Sequence, residues 1–429
     1  MQSSSHLDNV THPSGHALGG GLHCQPTLAP FFTPPHPPTI TVHPFRAHIP
    51  DAPLEDLSLR LNAVADILPT YENSFAPESA TGESYGLTKD WMDRAIWTWR
   101  NEFDWRKVEA EINKFPNYTT MLETRGHTFT VHFVALFSER EDAVPVVMTH
   151  GWPGSILEFL PLLTHLTATY TPRTLPIHLV CPSIIGFGFS SPPPRHDNFS
   201  DLDVADLWDK LMRGLGFGAY VAQGGDIGSY VSRLLGEKHG ACKAVHVNML
   251  RATAPPNSSP SALDEIDRAC VARLDYFLKH EFAYRDEHAT KTATIGMVVE
   301  SSPVAMLAWI GEKFISWSDE TPPLDTILAD VTLYWLTRTF PTSLYHYRNS
   351  RGPHASPETQ PTGIRDKPVG YSQFVKEITP SPIEWVKATG GVNLVWARRH
   401  EKGGHFAALE RPVELYQDLL DFIGVAWKA

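Results

Sequence analysis

The 429-residue sequence contains few cysteines, and its four, Cys24, Cys181, Cys242 and Cys270, lie far apart with no zinc-type spacing. This pattern argues against a disulfide framework or a zinc site and favours a reducing compartment. No stretch approaches the roughly 18 consecutive apolar residues of a membrane span. The N-terminus also lacks the basic-then-apolar order of a signal peptide. We therefore expect a cytoplasmic protein without a membrane anchor.

Positive charge is also scarce. The chain has 36 Lys and Arg against 48 Asp and Glu, which gives a formal net charge of −12, and it contains no basic tract. Nucleic-acid binding requires the opposite balance, so we expect no nucleic-acid partner. The rest of the composition, with 42% hydrophobic and 20% charged residues, is typical of a globular protein that can bury a large core.

The first 42 residues differ in composition from the rest of the chain. They are rich in His, Pro, Gly and Ser and have few periodic apolar positions, which predicts a disordered tail over residues 1–42. The spacing of the tail's histidines and its cysteine is too loose to predict a metal site. These residues are His6, His12, His16, His23, Cys24 and His36.

Beyond the tail, residues 43–142 predict helices, one of them over 101–115, and two strands. After residue 143, short apolar runs alternate with helical segments, which is typical of a mostly parallel, doubly wound α/β sheet covered on both faces. We expect core parts over 143–254 and 351–429, and a helical lid over 255–350 at the sheet's carboxyl edge. The apolar runs are VPVVMTH (144–150), HLVCPSII (178–185), YVAQGG (220–225), AVHVNML (244–250), KPVGYSQF (367–374) and NLVWARR (393–399).

A glycine-rich turn follows the third of these runs, at Gly224-Gly225-Asp226-Ile227-Gly228. It has the form of the strained strand-to-helix turn that exposes a nucleophile in α/β-hydrolases, which makes Asp226 the candidate nucleophile. Glycines are needed there because the backbone is strained and the turn packs tightly. The helix that follows would point its N-terminal N–H groups at the carboxylate. The alternative is a loop in which Asp226 only caps that helix.

A second loop, His150-Gly151-Trp152-Pro153-Gly154, directly follows the first buried run. In α/β-hydrolases the corresponding loop supplies one N–H of the oxyanion hole, and the residue after the nucleophile supplies the other. These groups would be the backbone N–H groups of Trp152 and Ile227. An ordinary turn does not explain why both loops occur at matched places.

The C-terminal stretch GGHFAALERP (403–412) follows the last predicted strand. It places His405 last in the chain order nucleophile, acid, histidine, where the catalytic base is expected. The acid should follow one of the later strands, and Glu377, just after KPVGYSQF, fits that position. Asp366 precedes the same strand, at the wrong end, and Glu384 is the second choice.

Five separated motifs resemble those of epoxide hydrolases of the microsomal type. The similarity is greatest to soluble, fungal-like members and covers about residues 43–429. It includes the N-terminal segment beginning PFRAHIP, which such enzymes wrap around the core, and it implies the α/β-hydrolase fold with a helical lid. Membrane-bound members begin with an anchoring helix, whereas this chain begins with a polar tail. The motifs are HGWPGS, QGGDIGS, EFAYRDEHATKTATIG, LYWLTRTFPTSLYHYRN and GGHFAALERP.

The resemblance implies a role for each of five side chains. Asp226 would be the nucleophile, His405 the base and Glu377 the partner of that base. Tyr284 and Tyr347 would be lid tyrosines that bind the epoxide oxygen. The substrates would be a small apolar epoxide and water, with no cofactor or metal, and a homodimer formed through the lid would be compatible with the family.

A carboxylate nucleophile suits displacement at an sp³ carbon, whereas a serine suits attack on a carbonyl, so an esterase would carry Ser or Cys at position 226. A haloalkane dehalogenase uses the same triad, but commonly has a Trp after the nucleophile to bind the halide, and Ile227 cannot do this. A catalytically inactive binding protein would have lost one of the five groups. Detoxification and a biosynthetic step are equally compatible with these residues.

Overall fold

The computed structural model describes residues 31–75, 85–256, 258, 263–351 and 355–428. A nine-stranded sheet runs through this part of the chain in the order β1-β2-β3-β5-β4-β6-β7-β8-β9. Strands β1, β2, β3 and β5 pair in antiparallel fashion, and β5, β4, β6, β7, β8 and β9 pair in parallel. The strands are β1 Val42–Phe45, β2 Asn117–Thr124, β3 His127–Leu136, β4 Val144–Thr149, β5 Ile177–Pro182, β6 Tyr220–Gly224, β7 Cys242–Val247, β8 Ile364–Lys376 and β9 Val392–Gly404.

The six apolar runs predicted as buried strands form β4 to β9, and the mostly parallel α/β sheet is confirmed. Every residue of β5 is buried, as a strand covered on both faces requires. Two apolar clusters form the core. Because the carboxyl ends of parallel strands meet at one edge, the loops after β4, β6, β8 and β9 converge there.

Helices α7 to α12 occupy the insertion between β7 and β8. This helical lid is tied to the core loops by hydrogen bonds from Thr342 Oγ1 to the Gly186 carbonyl (2.7 Å) and from Tyr345 Oη to the Ile185 carbonyl (3.0 Å). The helices are α1 Asp51–Asn62, α2 Lys89–Asn101, α3 Trp105–Ile112, α4 Leu160–Thr169, α5 Asp201–Gly214, α6 Asp226–Lys238, α7 Glu265–Tyr276, α8 Ala283–Thr290, α9 Thr292–Glu300, α10 Pro303–Trp317, α11 Leu324–Thr337, α12 Tyr345–Ser350, α13 Ile383–Thr389, α14 Ala407–Glu410 and α15 Pro412–Ala426.

The helix predicted over 101–115 is wrong in its bounds. Helix α2 ends at Asn101, and α3 begins only at Trp105. The break arises because Asp104 caps α3, its carboxylate accepting a hydrogen bond from the Arg106 N–H at 2.9 Å. The N-terminal helices pack against the lid, where Gly311 of α10 lies against the Trp91 ring of α2.

The boundary predicted for the N-terminal tail at residue 42 lies too far along the chain. Phe31 is buried, and its carbonyl accepts a hydrogen bond from the Phe137 N–H at 3.0 Å. The Thr39 N–H donates to the Gly214 carbonyl at 2.8 Å, and Val42 opens strand β1. Apolar residues of this segment therefore pack on the core despite its high proline content. The prediction for residues 1–30, with four of the tail's histidines and Cys24, lies outside the described residues.

Among the described residues, no single helix is both long enough and apolar enough to cross a membrane. Helices α9 and α10 reach that length and composition only together, and they are bent by 115° where they meet. Cys181, Cys242 and Cys270 are buried free thiols. The described part of the chain contains no group of three or more His, Cys, Asp or Glu side chains arranged to hold a metal ion.

Candidate active site

Asp226 is the first residue of α6 and stands directly after β6, with a left-handed φ of +44°. Such a φ is costly for a residue other than glycine and persists only where the surroundings enforce it. The turn is tight enough to require its glycines, since a Cβ at Gly224 would lie 2.2 Å from the Gly228 carbonyl oxygen. A Cβ at Gly228 would lie 2.0 Å from the Thr149 carbonyl oxygen. The predicted strand-to-helix turn is therefore present, with the Asp226 side chain projecting from it.

The loop after β4 approaches Asp226 closely. The Trp152 N–H donates a hydrogen bond to Asp226 Oδ1 at 2.8 Å, and a Cβ at Gly151 would lie 2.4 Å from the same oxygen. Ile227 is buried in the first turn of α6, where a backbone N–H has no acceptor within the helix. Both residues predicted to form the oxyanion hole thus lie next to the Asp226 carboxylate.

His405 and Glu377 follow β9 and β8 at the same edge of the sheet, and both are buried. His405 Nδ1 lies 2.7 Å from Glu377 Oε1, and His405 Nε2 lies 3.4 Å from Asp226 Oδ2. The Ile378 N–H also donates to Glu377 Oε1 at 2.7 Å, which fixes that carboxylate. Asp366, predicted to be at the wrong end of the strand, is exposed within β8, and Glu384, the second choice for the acid, pairs with a surface lysine.

The side chains of Asp226, His405 and Glu377 are close enough for the charge of each to affect the others. Burial lowers the pKa of His405, but the Glu377 charge and the contact with Asp226 outweigh burial and raise that pKa to about 10. Burial raises the pKa of Asp226, but His405 and the Trp152 N–H outweigh it and lower that pKa below its usual value. In the free protein at neutral pH, the site therefore holds a histidinium between two carboxylates.

The lid brings two tyrosines to the same place. Tyr284 of α8 and Tyr347 of α12 are buried with ring centroids 5.8 Å apart. The Trp152 ring stacks on Tyr284 at 5.5 Å and meets Tyr347 edge-on at 5.7 Å. Burial raises the pKa of both phenols, and the Asp226 charge raises them further. Both phenols are therefore neutral hydrogen-bond donors.

His288, which was not predicted from the sequence, lies four residues after Tyr284 on α8. Its ring contacts Trp152 at 4.7 Å and Tyr347 at 4.8 Å, and His288 Nε2 accepts a hydrogen bond from the Trp309 indole N–H at 2.9 Å. Burial lowers the pKa of His288 to about 3, so the ring is neutral and carries its hydrogen on Nδ1. The spacing of four in EFAYRDEH, which places both side chains on one helix face, was the available signal.

Glu158, which was also not predicted from the sequence, lies in the short 3₁₀ turn Ile156–Phe159 that follows the HGWPG loop. With Asp226 and His405 it lines a cavity of about 20 Å³. Burial raises the pKa of Glu158 well above its usual value, and the nearby Asp330 raises it further. Nothing in the sequence around Glu158 distinguishes it from a surface acid.

The sequence matches two protein families. Residues 42–159 match the family described as the epoxide hydrolase N terminus, and residues 144–304 match the α/β-hydrolase fold. The chain is 40% identical over 402 residues to a Dothistroma septosporum protein named "Putative epoxide hydrolase", and the match covers 92% of this chain and 93% of the relative. It is 29% identical over 420 residues to epoxide hydrolase 1 of Sus scrofa, covering 90% of this chain and 89% of the relative.

Solved structures show the same similarity. The structure of Aspergillus niger epoxide hydrolase superimposes with a TM-score of 0.85 at 46% identity, covering 93% of this chain and 100% of that one. Juvenile hormone epoxide hydrolase from the silkworm Bombyx mori superimposes with a TM-score of 0.78 at 25% identity, covering 90% and 95% of the two chains. The resemblance identified from five sequence motifs is confirmed over most of the chain.

Proposed function

The chain belongs to the epoxide hydrolases with an α/β-hydrolase fold, and we propose that it converts an epoxide to a vicinal diol through a covalent ester on Asp226. The observation that carries this mechanism is the position of Asp226. Its carboxylate receives the Trp152 N–H at 2.8 Å and lies 3.4 Å from His405, and two neutral lid phenols lie against the Trp152 ring. A nucleophile, a base and two acids for the leaving oxygen are thus gathered in one place.

In the first step, Asp226 attacks one ring carbon from the side opposite the C–O bond that breaks. A new C–O bond forms to the carboxylate, and the electron pair of the broken bond stays on the former epoxide oxygen. Tyr284 or Tyr347 donates its proton to that oxygen, and the other phenol hydrogen-bonds to it. The raised pKa of both phenols supports this role, because each holds its proton until the alkoxide forms.

In the second step, water attacks the carbonyl carbon of the Asp226 ester while His405 Nε2 removes one of its protons. The Trp152 and Ile227 N–H groups stabilise the oxyanion that forms at the ester. His405 then gives its proton to the departing diol oxygen. Asp226 is left as a carboxylic acid that carries the second proton of the water, and loss of this proton regenerates its carboxylate. Glu377 orients the imidazole through its 2.7 Å contact with Nδ1 and stabilises the cationic form. The proton released overall restores the phenol used in the first step.

The charge coupling in the site supports the order of these steps. Glu377 and Asp226 raise the pKa of His405 to about 10 in the free enzyme, so the histidinium first keeps Asp226 ionised. Ester formation removes the negative charge of Asp226, and only Glu377 then supports the imidazolium. The pKa of His405 falls as a result, and the ring becomes able to accept a proton from water.

The test separates the two steps. His405→Gln should open the epoxide and then stall, because Asp226 can still form the ester but no base activates water. Intact-mass analysis should show enzyme plus one substrate, with the added mass on the peptide that contains Asp226. Glu377→Gln should slow the same second step less severely, since the orientation of His405 survives and only its charge stabilisation is lost.

The matched control is His400→Gln. His400 lies on β9 and pairs with Asp418 at 2.6 Å, away from the site, so this variant should turn over normally and accumulate no adduct. If His405→Gln consumes epoxide without accumulating an adduct, or consumes none while folded, His405 does not act in the second step.

A further inference from the structure

A small cavity lies beside Asp226, on the side away from the lid. Its volume is about 20 Å³, which is enough for one water molecule. None of the residues that line it belongs to helices α7 to α12, whereas Tyr284 and Tyr347 both come from the lid. The lining of this cavity therefore comes from the core, whereas the two phenols approach Asp226 from the lid.

The core-side cavity has polar groups with unused hydrogen-bonding capacity. Thr149 Oγ1 and His405 Nε2 line it and are buried. Among the described residues, Thr149 Oγ1 has no hydrogen-bond partner, and His405 Nε2 has a long contact of 3.4 Å with Asp226 Oδ2. Buried polar groups are rarely left unsatisfied, and a bound water needs two to four such partners. Together with Glu158 and Asp226, these groups provide the contacts that one water requires.

Glu158 is held toward this cavity by the shape of the preceding loop. A Cβ at Gly154 would lie 2.5 Å from Glu158 Oε2, so the carboxyl group uses space that only glycine leaves free. Burial raises the pKa of Glu158 well above its usual value, which favours the neutral form of this carboxyl group. A neutral carboxyl group can accept a hydrogen bond from water without adding a second negative charge beside Asp226.

We propose that this cavity holds the water that hydrolyses the Asp226 ester, and that Glu158 is the positioning residue for it. The water donates one hydrogen to His405 Nε2 and the other to the Glu158 carbonyl oxygen, which leaves a lone pair directed at the ester carbon. The alkyl group remains on the lid side while water attacks from the core side. This inference rests on the proposed function. It adds Glu158, and the cavity as the position of the water, to the second step of that mechanism.

The test compares two Glu158 variants in single-turnover experiments that measure ester formation and ester hydrolysis separately. Glu158→Met keeps the approximate volume and removes the acceptor, so hydrolysis should slow about 10²-fold, the cost of misplacing a reactant by about 1 Å. Ester formation should stay within a few-fold of the parent rate. Glu158→Gln retains a carbonyl oxygen and should restore most of the hydrolysis rate, which a merely structural role does not predict.

A buried glutamate outside the site provides the control. Glu109 of α3 pairs with Arg106 at 2.7 Å, so Glu109→Met should lower the melting temperature without changing the ratio of the two rates. If Glu158→Met does not fold, Thr149→Val compared with Thr149→Ser makes the same comparison, and only the valine should slow hydrolysis. Equal slowing of both steps, unchanged hydrolysis, or no rescue by Gln would overturn the proposal.

These outcomes are distinct from a failure of the proposed function. If the covalent mechanism itself is wrong, no adduct forms on Asp226 in any variant, including His405→Gln. If only the role of Glu158 is wrong, adducts form and break down at the parent rates in Glu158→Met.

Discussion

Two phenols, rather than one, lie close to Asp226, the proposed nucleophile. The rings of Tyr284 and Tyr347 both contact Trp152. A haloalkane dehalogenase would have no use for such donors, because a departing halide needs no proton. The two tyrosines are therefore the side chains that most favour an epoxide as substrate.

A pair of single variants and their double variant tests this role of the tyrosines. Tyr284→Phe and Tyr347→Phe should each slow ester formation, and the double variant should be nearly inactive, because one donor partly replaces the other. Losing a preorganised donor without a substitute costs about 2.7–4 kcal/mol. The effects should thus be non-additive, with hydrolysis of a preformed ester unchanged. Near-normal ester formation in the double variant would reduce both tyrosines to packing residues.

At the scale of elements, the lid and core meet through a buried acid. Asp330 of α11 is 3% exposed and accepts a hydrogen bond from Ser155 Oγ at 2.5 Å, at the start of the turn that carries Glu158. Burial raises the pKa of Asp330 to about 8 from a usual value of 3.8. The lid is therefore docked on the core through a carboxyl group that is largely protonated at neutral pH.

This docking predicts a pH-dependent stability. The folded chain binds a proton at Asp330 that the unfolded chain releases above about pH 4. The stabilising contribution of Asp330 to the free energy of unfolding is thus complete below about pH 4 and is lost as the pH rises toward 8. One such group changes the free energy of unfolding by up to about 1.4 kcal/mol per pH unit. Asp330→Asn, which cannot ionise, should show a smaller decline in denaturant-unfolding free energy over this range, and curves parallel to the parent would contradict the assignment.

The elements that the sequence predicted are those governed by local pattern. Strands β4 to β9 follow from short runs rich in apolar residues, and the Asp226 turn follows from its glycines. His288 and Glu158 were missed because their roles depend on neighbours distant in the chain, namely Trp309 for one and the Asp226 and His405 side chains for the other. The break before α3 and the packing of residues 31–42 were missed for a different reason. The Asp104 cap set the start of α3, and buried apolar residues such as Phe31 ordered a segment whose composition predicted disorder.

At the scale of the whole molecule, the proposed mechanism places the epoxide and the hydrolytic water on opposite sides of the Asp226 side chain. The lid supplies the acids for the opening ring, and the core supplies the base, the oxyanion donors and the cavity of about 20 Å³. The fold makes this division possible because the catalytic loops converge at the carboxyl edge of the sheet, and the insertion between β7 and β8 covers that edge. In this proposal the sheet fixes the position of Asp226, and the insertion covers it with the two tyrosines.

The covalent ester on Asp226 is the central claim, and a single turnover in ¹⁸O-labelled water tests it most directly. Enzyme in excess over epoxide should release a diol that contains no label, because the added oxygen comes from the carboxylate, and the peptide containing Asp226 should gain one labelled oxygen. Repeated turnovers should then transfer label from Asp226 to the diol. A diol labelled in its first turnover, with Asp226 unlabelled, would show direct attack of water on the epoxide and would contradict the account.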